Sequence, residues 1–125
     1  MSQWTFEDLD TIGAADELEI AAPRPDGSLR PYTTIWVVRV GDDLYVRSYR
    51  GRGGAWFRAV LRRPEGRIRA AGVERDVTFT ELEDTGQDTV GQAYRDKYGP
   101  RYPSSYVDPM LSADAVVATL RLDPR

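Results

Sequence analysis

Short runs of alternating apolar and polar residues, separated by glycine, proline and aspartate, dominate this chain, and only three stretches carry a helical period. Near the start, Thr5 followed by Asp8 makes a capping pattern that predicts a short helix with Phe6, Leu9 and Ile12 facing inward and Gly13 as its stop. Residues 17–22 alternate weakly and read as a strand; 23–28, with Asp26-Gly27, reads as a turn. Residues 30–40 are the clearest strand, rich in β-branched and aromatic side chains. Gly41-Asp42-Asp43 makes a hairpin turn, and 44–49 returns. The middle of this hairpin is apolar on both faces, which predicts a core on one side and a subunit or ligand on the other.

A glycine-rich bend, Arg50-Gly51-Arg52-Gly53-Gly54, opens the second helical stretch at 55–62. There Trp56 and Val60, and Phe57 and Leu61, form i,i+4 pairs, with Arg58 and Arg62 on another face. Residues 67–71 and 73–82 predict a hairpin around Gly72; 84–98 turns helical, with Asp84 as its cap; 101–110 reads as irregular or one helical turn; 115–122 closes the chain as a strand. Six short strands with tight turns predict a mainly β, α+β fold: a small antiparallel barrel with short peripheral helices, in one domain over 1–125.

Composition narrows the chemistry. The chain has no Cys and no His, so disulfides, thiolate nucleophiles, a Ser-His-Asp triad and the usual transition-metal sites are excluded, and no metal site is expected. No run is apolar enough to span a membrane and no signal peptide is evident, so a cytoplasmic protein without a membrane partner is expected. The net charge of −3 is uneven: between Arg47 and Arg75 nine arginines face only Glu65 and Glu74, giving that segment +7 and the remainder −10. A local basic field in an acidic chain points to a small phosphate-bearing ligand and away from nucleic acid. Glycines beside Arg50 and Arg52, at the start of a helix, offer backbone amides and a partial positive charge to an anion.

The order of elements resembles the split-barrel flavin-binding superfamily, which includes pyridoxamine-phosphate oxidase-like proteins and deazaflavin-dependent nitroreductases. Residues 29–38, LRPYTTIWVV, resemble its strand R-P-x-T-T-P-x-W; 41–46, GDDLYV, its hairpin G-D-x-x-x-V; and 53–64, GGAWFRAVLRRP, its segment P-x-W-x-x-N-L-x-x-N-P. The closing 119–124, TLRLDP, resembles its last strand. The resemblance covers roughly 18–124 and is closest to a small bacterial family of unassigned function. It implies a six-stranded split β-barrel, a homodimer, and FMN or a deazaflavin coenzyme at the dimer interface.

Carried over by position, Arg30, Thr33 and Thr34 would line the first strand, Arg47, Ser48 and Tyr49 the end of the second, and Gly53, Gly54 and Trp56 the loop and helix start, with Arg50 or Arg52 on the phosphate. The basic loop G-R-K-S-G of the nitroreductases is replaced here by 23–28, PRPDGS, and both helix asparagines are missing. Tyr102 and Tyr106 are candidates to hold a substrate; Tyr94, Tyr98, Trp36 and Trp56 read first as packing residues, and Asp26 and Asp43 as turn formers. Three functions follow: an oxidoreductase passing a hydride from bound cofactor to a small electrophile, a binding protein for an anionic ligand, or a cofactor-free protein that keeps only the scaffold.

Overall fold

The computed structural model describes residues 3–83 and 85–125; the cap expected at Asp84 lies outside them. Helix α1 (Phe6–Ala14) begins as expected, with Thr5 accepting a hydrogen bond from the Asp8 N–H. Leu9 and Ile12 are buried but Phe6 stands exposed, because the inward face is the one that meets the barrel. Gly13 does not stop the helix. It lies against Arg39, whose Cβ would be 3.0 Å from a Cβ at position 13, so it serves close approach.

Seven strands form one antiparallel sheet, not six: β1 (Leu18–Ala21), β2 (Thr33–Ile35), β3 (Val38–Val40), β4 (Asp43–Arg47), β5 (Glu65–Ala70), β6 (Val73–Glu81) and β7 (Thr119–Pro124), in the order β2-β1-β5-β6-β7-β4-β3. The extra strand arises because the run expected at 30–40 breaks in the middle. β2 pairs with β1, β3 pairs with β4, and Trp36-Val37 crosses between them. The Val37 peptide bonds to side chains instead of a neighbouring strand. Its N–H donates to the Tyr98 hydroxyl at 3.1 Å, and its carbonyl accepts from Lys97 Nζ at 2.6 Å. Two residues of chain thus join the outermost strands of the sheet, which must curl until its edges approach. The β5–β6 hairpin turns on Ala71-Gly72, both with positive φ (48° and 85°), the geometry of a two-residue type I′ turn.

The interior of the curl is a core of Leu18, Ile20, Val37, Leu44, Val46, Ile68, Val77, Leu120 and Leu122, each buried to within 1%. Full burial of a side chain of this size is worth about 1.5–3 kcal/mol. Helix α2 (Ala55–Arg62) lays Phe57, Ala59 and Val60 on it. Leu61 is left exposed, so of the two i,i+4 pairs expected, Trp56–Val60 meets the core and Phe57–Leu61 does not.

A second cluster forms outside the barrel. Helix α3 (Gln87–Tyr98) and the short α4 (Ser104–Val107), followed by a 3-10 turn at Asp108–Leu111, pack Val90, Tyr94, Tyr98, Val107 and Met110 against Val38 and Tyr45. The second apolar face of the β3–β4 hairpin is therefore covered by the chain's own α3 and not by a subunit or ligand. The closing strand starts later than expected, since Ser112 caps a turn of helix, α5 (Ala113–Val116), by accepting from the Ala115 N–H. Among the described residues, no helix is long and apolar enough to cross a membrane.

Candidate functional site

A cleft of about 620 Å³ opens between barrel and helices. One wall is β2 and its extension, Thr33 to Trp36; a second is the end of β4 and the bend after it, Arg47 to Arg50. The third is the start of α2, Gly54 to Trp56, and the fourth comes from Ser105, Tyr106, Pro109 and Met110. The cleft thus gathers Thr33, Thr34, Arg47, Ser48, Tyr49, Arg50, Gly54, Trp56 and Tyr106 of the expected set. Arg30, Arg52, Gly53 and Tyr102 do not line it.

The glycine bend divides into two parts. Residues Gly51–Gly53 form a 3-10 turn that packs on α5: Gly51 has φ 72°, and a Cβ there would come within 3.3 Å of Asp114. This half is a connector. Arg52 leaves with it, donating to Glu81 at 2.6 Å and to the Val117 carbonyl at 2.8 Å, with its guanidinium over the Phe57 ring. Gly54 belongs to the other half. A Cβ on it would meet Ser48 Oγ at 2.6 Å, so a larger residue would force the Ser48 hydroxyl to turn away where the start of α2 meets the end of β4. No side chain caps that start.

The two arginines of the cleft differ. Arg47 is buried, and its guanidinium donates to Thr119 Oγ1, to the Met110 carbonyl, and to the carbonyl and Oε1 of Gln87, at 2.9–3.1 Å. Every one of these acceptors is uncharged. The Tyr94 ring, 5.4 Å from Cζ, adds a cation–π contact. Burial pushes the Arg47 pKa down. Arg47 thus clamps α3 and the 104–111 segment to the barrel while bringing an uncompensated positive charge under the cleft. Arg50 is exposed, rests over the Tyr49 ring at 5.6 Å, and has no carboxylate partner among the described residues.

Aromatic rings connect the second cluster to the cleft. Trp36 stacks on Tyr98 with centroids 4.0 Å apart and planes 5° from parallel; Tyr102 lies 5.0 Å from Trp36, and Tyr106 lies 6.3 Å from Tyr102. Tyr102 donates its hydroxyl proton to Asp16, and this hydrogen bond raises its pKa while lowering that of Asp16. Its proton is committed to that pair. Tyr106 stands exposed at the mouth. Among the described residues, no cluster of acidic side chains could hold a metal.

Ile35, Ala55, Ser105, Pro109 and Met110 line the cleft without having been singled out from the sequence. The first two sit inside quoted motifs. The other three come from the 101–110 stretch, which reads as irregular or one helical turn and gives no sign of the direction in which it folds back.

A curled antiparallel sheet with this cleft is a split barrel. The chain is similar to the putative pyridoxamine 5'-phosphate oxidase from Listeria innocua (TM-score 0.66, 12% identity, covering 95% of this chain and 91% of that one). It is also similar to an F420-H2 dependent reductase, FDR-A (TM-score 0.65, 16% identity, 86% and 94% covered). HutZ, the heme storage protein from Vibrio cholerae, is a third match (TM-score 0.64, 14% identity, 95% and 88% covered). Identities this low establish the fold, which is the one its motifs resemble. No curated protein sequence matches the chain. The chain belongs to the bacterial family described as "Uncharacterized protein conserved in bacteria (DUF2255)", whose model matches residues 8–122.

Proposed function

We propose that the cleft binds an anionic, planar aromatic cofactor, FMN or a deazaflavin coenzyme, and that the protein reduces a small electrophilic substrate beside it. One observation carries this reading: a cleft of about 620 Å³ with apolar walls, two arginines and no carboxylate lining it. Small-molecule sites commonly span about 300–1,000 Å³ and combine apolar walls with a few placed polar groups. The residues fit such a molecule. Ile35, Trp36, Trp56 and Met110 offer flat apolar contact, and Thr33, Thr34 and Ser48 offer hydroxyls. Arg50 is free to meet a phosphate, and Arg47 supports negative charge from below. When bound, the cofactor supplies the hydride chemistry that a chain without His or Cys does not. Tyr106 is the side chain best placed to orient a substrate. The named functions of the similar oxidase and reductase lend support to the class.

A second reading is non-catalytic storage or transport of a similar anionic ligand. It is favoured by the lining itself, which includes no Asp, Glu or Lys to move a proton, and by the heme storage protein of like fold. We also infer a homodimer. Tyr49 and Tyr106, 59% and 62% exposed at the mouth, are the large apolar side chains a second copy would cover. Purified protein incubated with FMN or coenzyme F420 and passed through a desalting column should carry the cofactor's visible absorption stoichiometrically. After the bound cofactor has been reduced with dithionite without oxygen, single-turnover recovery of the oxidised absorption on adding a nitroaromatic probe separates reductase from store. Loss of all absorption on the column, for both cofactors, contradicts the reading.

A further inference from the structure

A row of aromatic rings passes behind the wall of the cleft. Trp36 lines the cleft, and the Tyr102 ring lies 5.0 Å from it without lining the cleft itself. Tyr106, exposed at the mouth, lies 6.3 Å from Tyr102. Tyr98 backs the row, stacked on Trp36 at 4.0 Å and 6.1 Å from Tyr102. In a chain without cysteine, indole and phenol are the side chains that most readily give up a single electron. Rings this close can exchange one.

Proton acceptors separate the tyrosines. A phenol that loses an electron becomes a strong acid, so it is oxidised easily only where a base takes its proton. Tyr102 donates to Asp16 Oδ2 at 2.5 Å, while Arg101 holds Oδ1 of the same carboxylate at 3.0 Å. Tyr98 meets only the peptide groups of Val37 and Asp16, and the Tyr94 hydroxyl is buried without a hydrogen-bond partner. Cations also stand over those two rings: Lys97 Nζ is 4.9 Å from the Tyr98 centroid, and Arg47 Cζ is 5.4 Å from that of Tyr94. They oppose positive charge on either ring. Tyr32 donates to Glu74, but Arg69 Cζ lies 3.9 Å from its ring centroid. Among the described residues, Tyr102 alone joins a carboxylate acceptor to a ring that no cation covers.

We propose that Trp36, Tyr102 and Asp16 form a one-electron relay that takes an oxidising equivalent off the cleft wall and holds it on Tyr102. A small radical oxidant removes one electron from the Trp36 indole, which releases its ring proton to solvent. One electron then passes from Tyr102 to Trp36. The Tyr102 hydroxyl proton crosses to Asp16 Oδ2, and the indole regains a proton from solvent. The products are intact tryptophan, a Tyr102 phenoxyl radical and a neutral Asp16 carboxylic acid. Tyr102 is partly exposed, so a one-electron reductant of the ascorbate class can return an electron to the phenoxyl as Asp16 returns the proton. The relay is independent of what the cleft holds, because each of its groups belongs to the chain.

The test is pulse radiolysis of the full chain with the azidyl radical, which oxidises tryptophan selectively. A Trp56→Phe background leaves Trp36 as the accessible indole, since Trp4 is buried. The indolyl absorption should give way to the phenoxyl band in a first-order step whose rate is independent of protein concentration and lower in heavy water. Tyr102→Phe should abolish that step. Asp16→Asn keeps a hydrogen-bond acceptor but removes the base, and should slow the step by about tenfold or more. Tyr32→Phe should leave it unchanged. Circular dichroism confirms the fold of each variant. Indolyl decay that only follows protein concentration, an unchanged rate in either Tyr102→Phe or Asp16→Asn, or a step lost with Tyr32→Phe would overturn the relay.

Discussion

Arginines of the β5–β6 hairpin and those around α2 lie close in sequence yet keep opposite electrostatic company. Arg67 sits across from Asp76 in the strand register and bonds it at 2.8 Å; Arg69 sits across from Glu19 and bonds it at 2.9 Å; Arg75 reaches Asp8 of α1. These charges are neutralised within the fold, as cross-strand pairs usually are. Arg50, Arg58 and Arg62 have no such partner among the described residues, and Arg47 meets only uncharged acceptors. The arginine excess visible in the sequence therefore resolves into a balanced outer sheet and a set without carboxylates, of which Arg47 and Arg50 line the cleft. It is the second set that a negatively charged ligand would find.

Substitutions can break this contrast at several points, and the largest effect is expected at Arg47. Arg47→Ala removes a clamp of four hydrogen bonds and leaves buried carbonyls without donors. A loss of about 3 kcal/mol in urea unfolding is expected, since hydrogen bonds from a charged donor contribute roughly 1.5–3 kcal/mol each and do not add. A change below 0.5 kcal/mol, the scale of an ordinary surface site, would mean the clamp is not structural.

Arg50→Ala should leave unfolding unchanged and weaken cofactor binding by about 1–3 kcal/mol, with the deficit shrinking as salt rises. Equal affinity in the two proteins removes Arg50 from the site.

Lys97 sharpens the picture from another side, because its ammonium is partly buried against the Val37 carbonyl. Burial, then the nearby Arg101, lowers its pKa to about 8, against the pull of Asp16. The folded state holds fewer protons than the unfolded chain between that value and the ordinary 10.5. Stability should therefore rise with pH above about 8. The rise should end near pH 10, where the unfolded chain begins to lose tyrosine protons that burial retains on Tyr94 and Tyr98. A gain of order 1 kcal/mol is expected, discounted because the group keeps part of its hydration. Lys97→Met should flatten this part of the profile, and an unaltered slope would assign it elsewhere.

The smallest effect is expected at Arg52. Its pairing with Glu81 places it in the balanced set, so Arg52→Ala should leave cofactor affinity unchanged. A loss equal to that of Arg50→Ala would put both arginines back on the ligand.

Much of this was legible before any coordinates. Turn residues located the hairpins, because Gly41, Gly72 and the Asp26-Gly27 pair mark backbone that few other residues adopt. Ordered motifs marked Thr33, Thr34 and Trp56, and carry-over by position marked Ser48, all of which line one cleft. What escaped was tertiary. The break at Trp36-Val37 depends on Tyr98 and Lys97, some sixty residues away, taking over backbone bonds that a strand would normally satisfy. Arg50 and Arg52 look alike in the glycine bend, and only the position of Glu81 separates them. The cover on the β3–β4 face was equally invisible, since nothing local says that α3 folds onto it.

The most direct measurement compares each cofactor with its phosphate-free form, FMN against riboflavin and coenzyme F420 against its dephosphorylated chromophore, by calorimetry on the unaltered chain and on Arg50→Ala. A negatively charged occupant held by an uncompensated arginine predicts that at least one phosphorylated form binds about tenfold or more tighter than its partner, and that Arg50→Ala erases the difference. Equal binding of both members of each pair, or a preference that survives in Arg50→Ala, would contradict it.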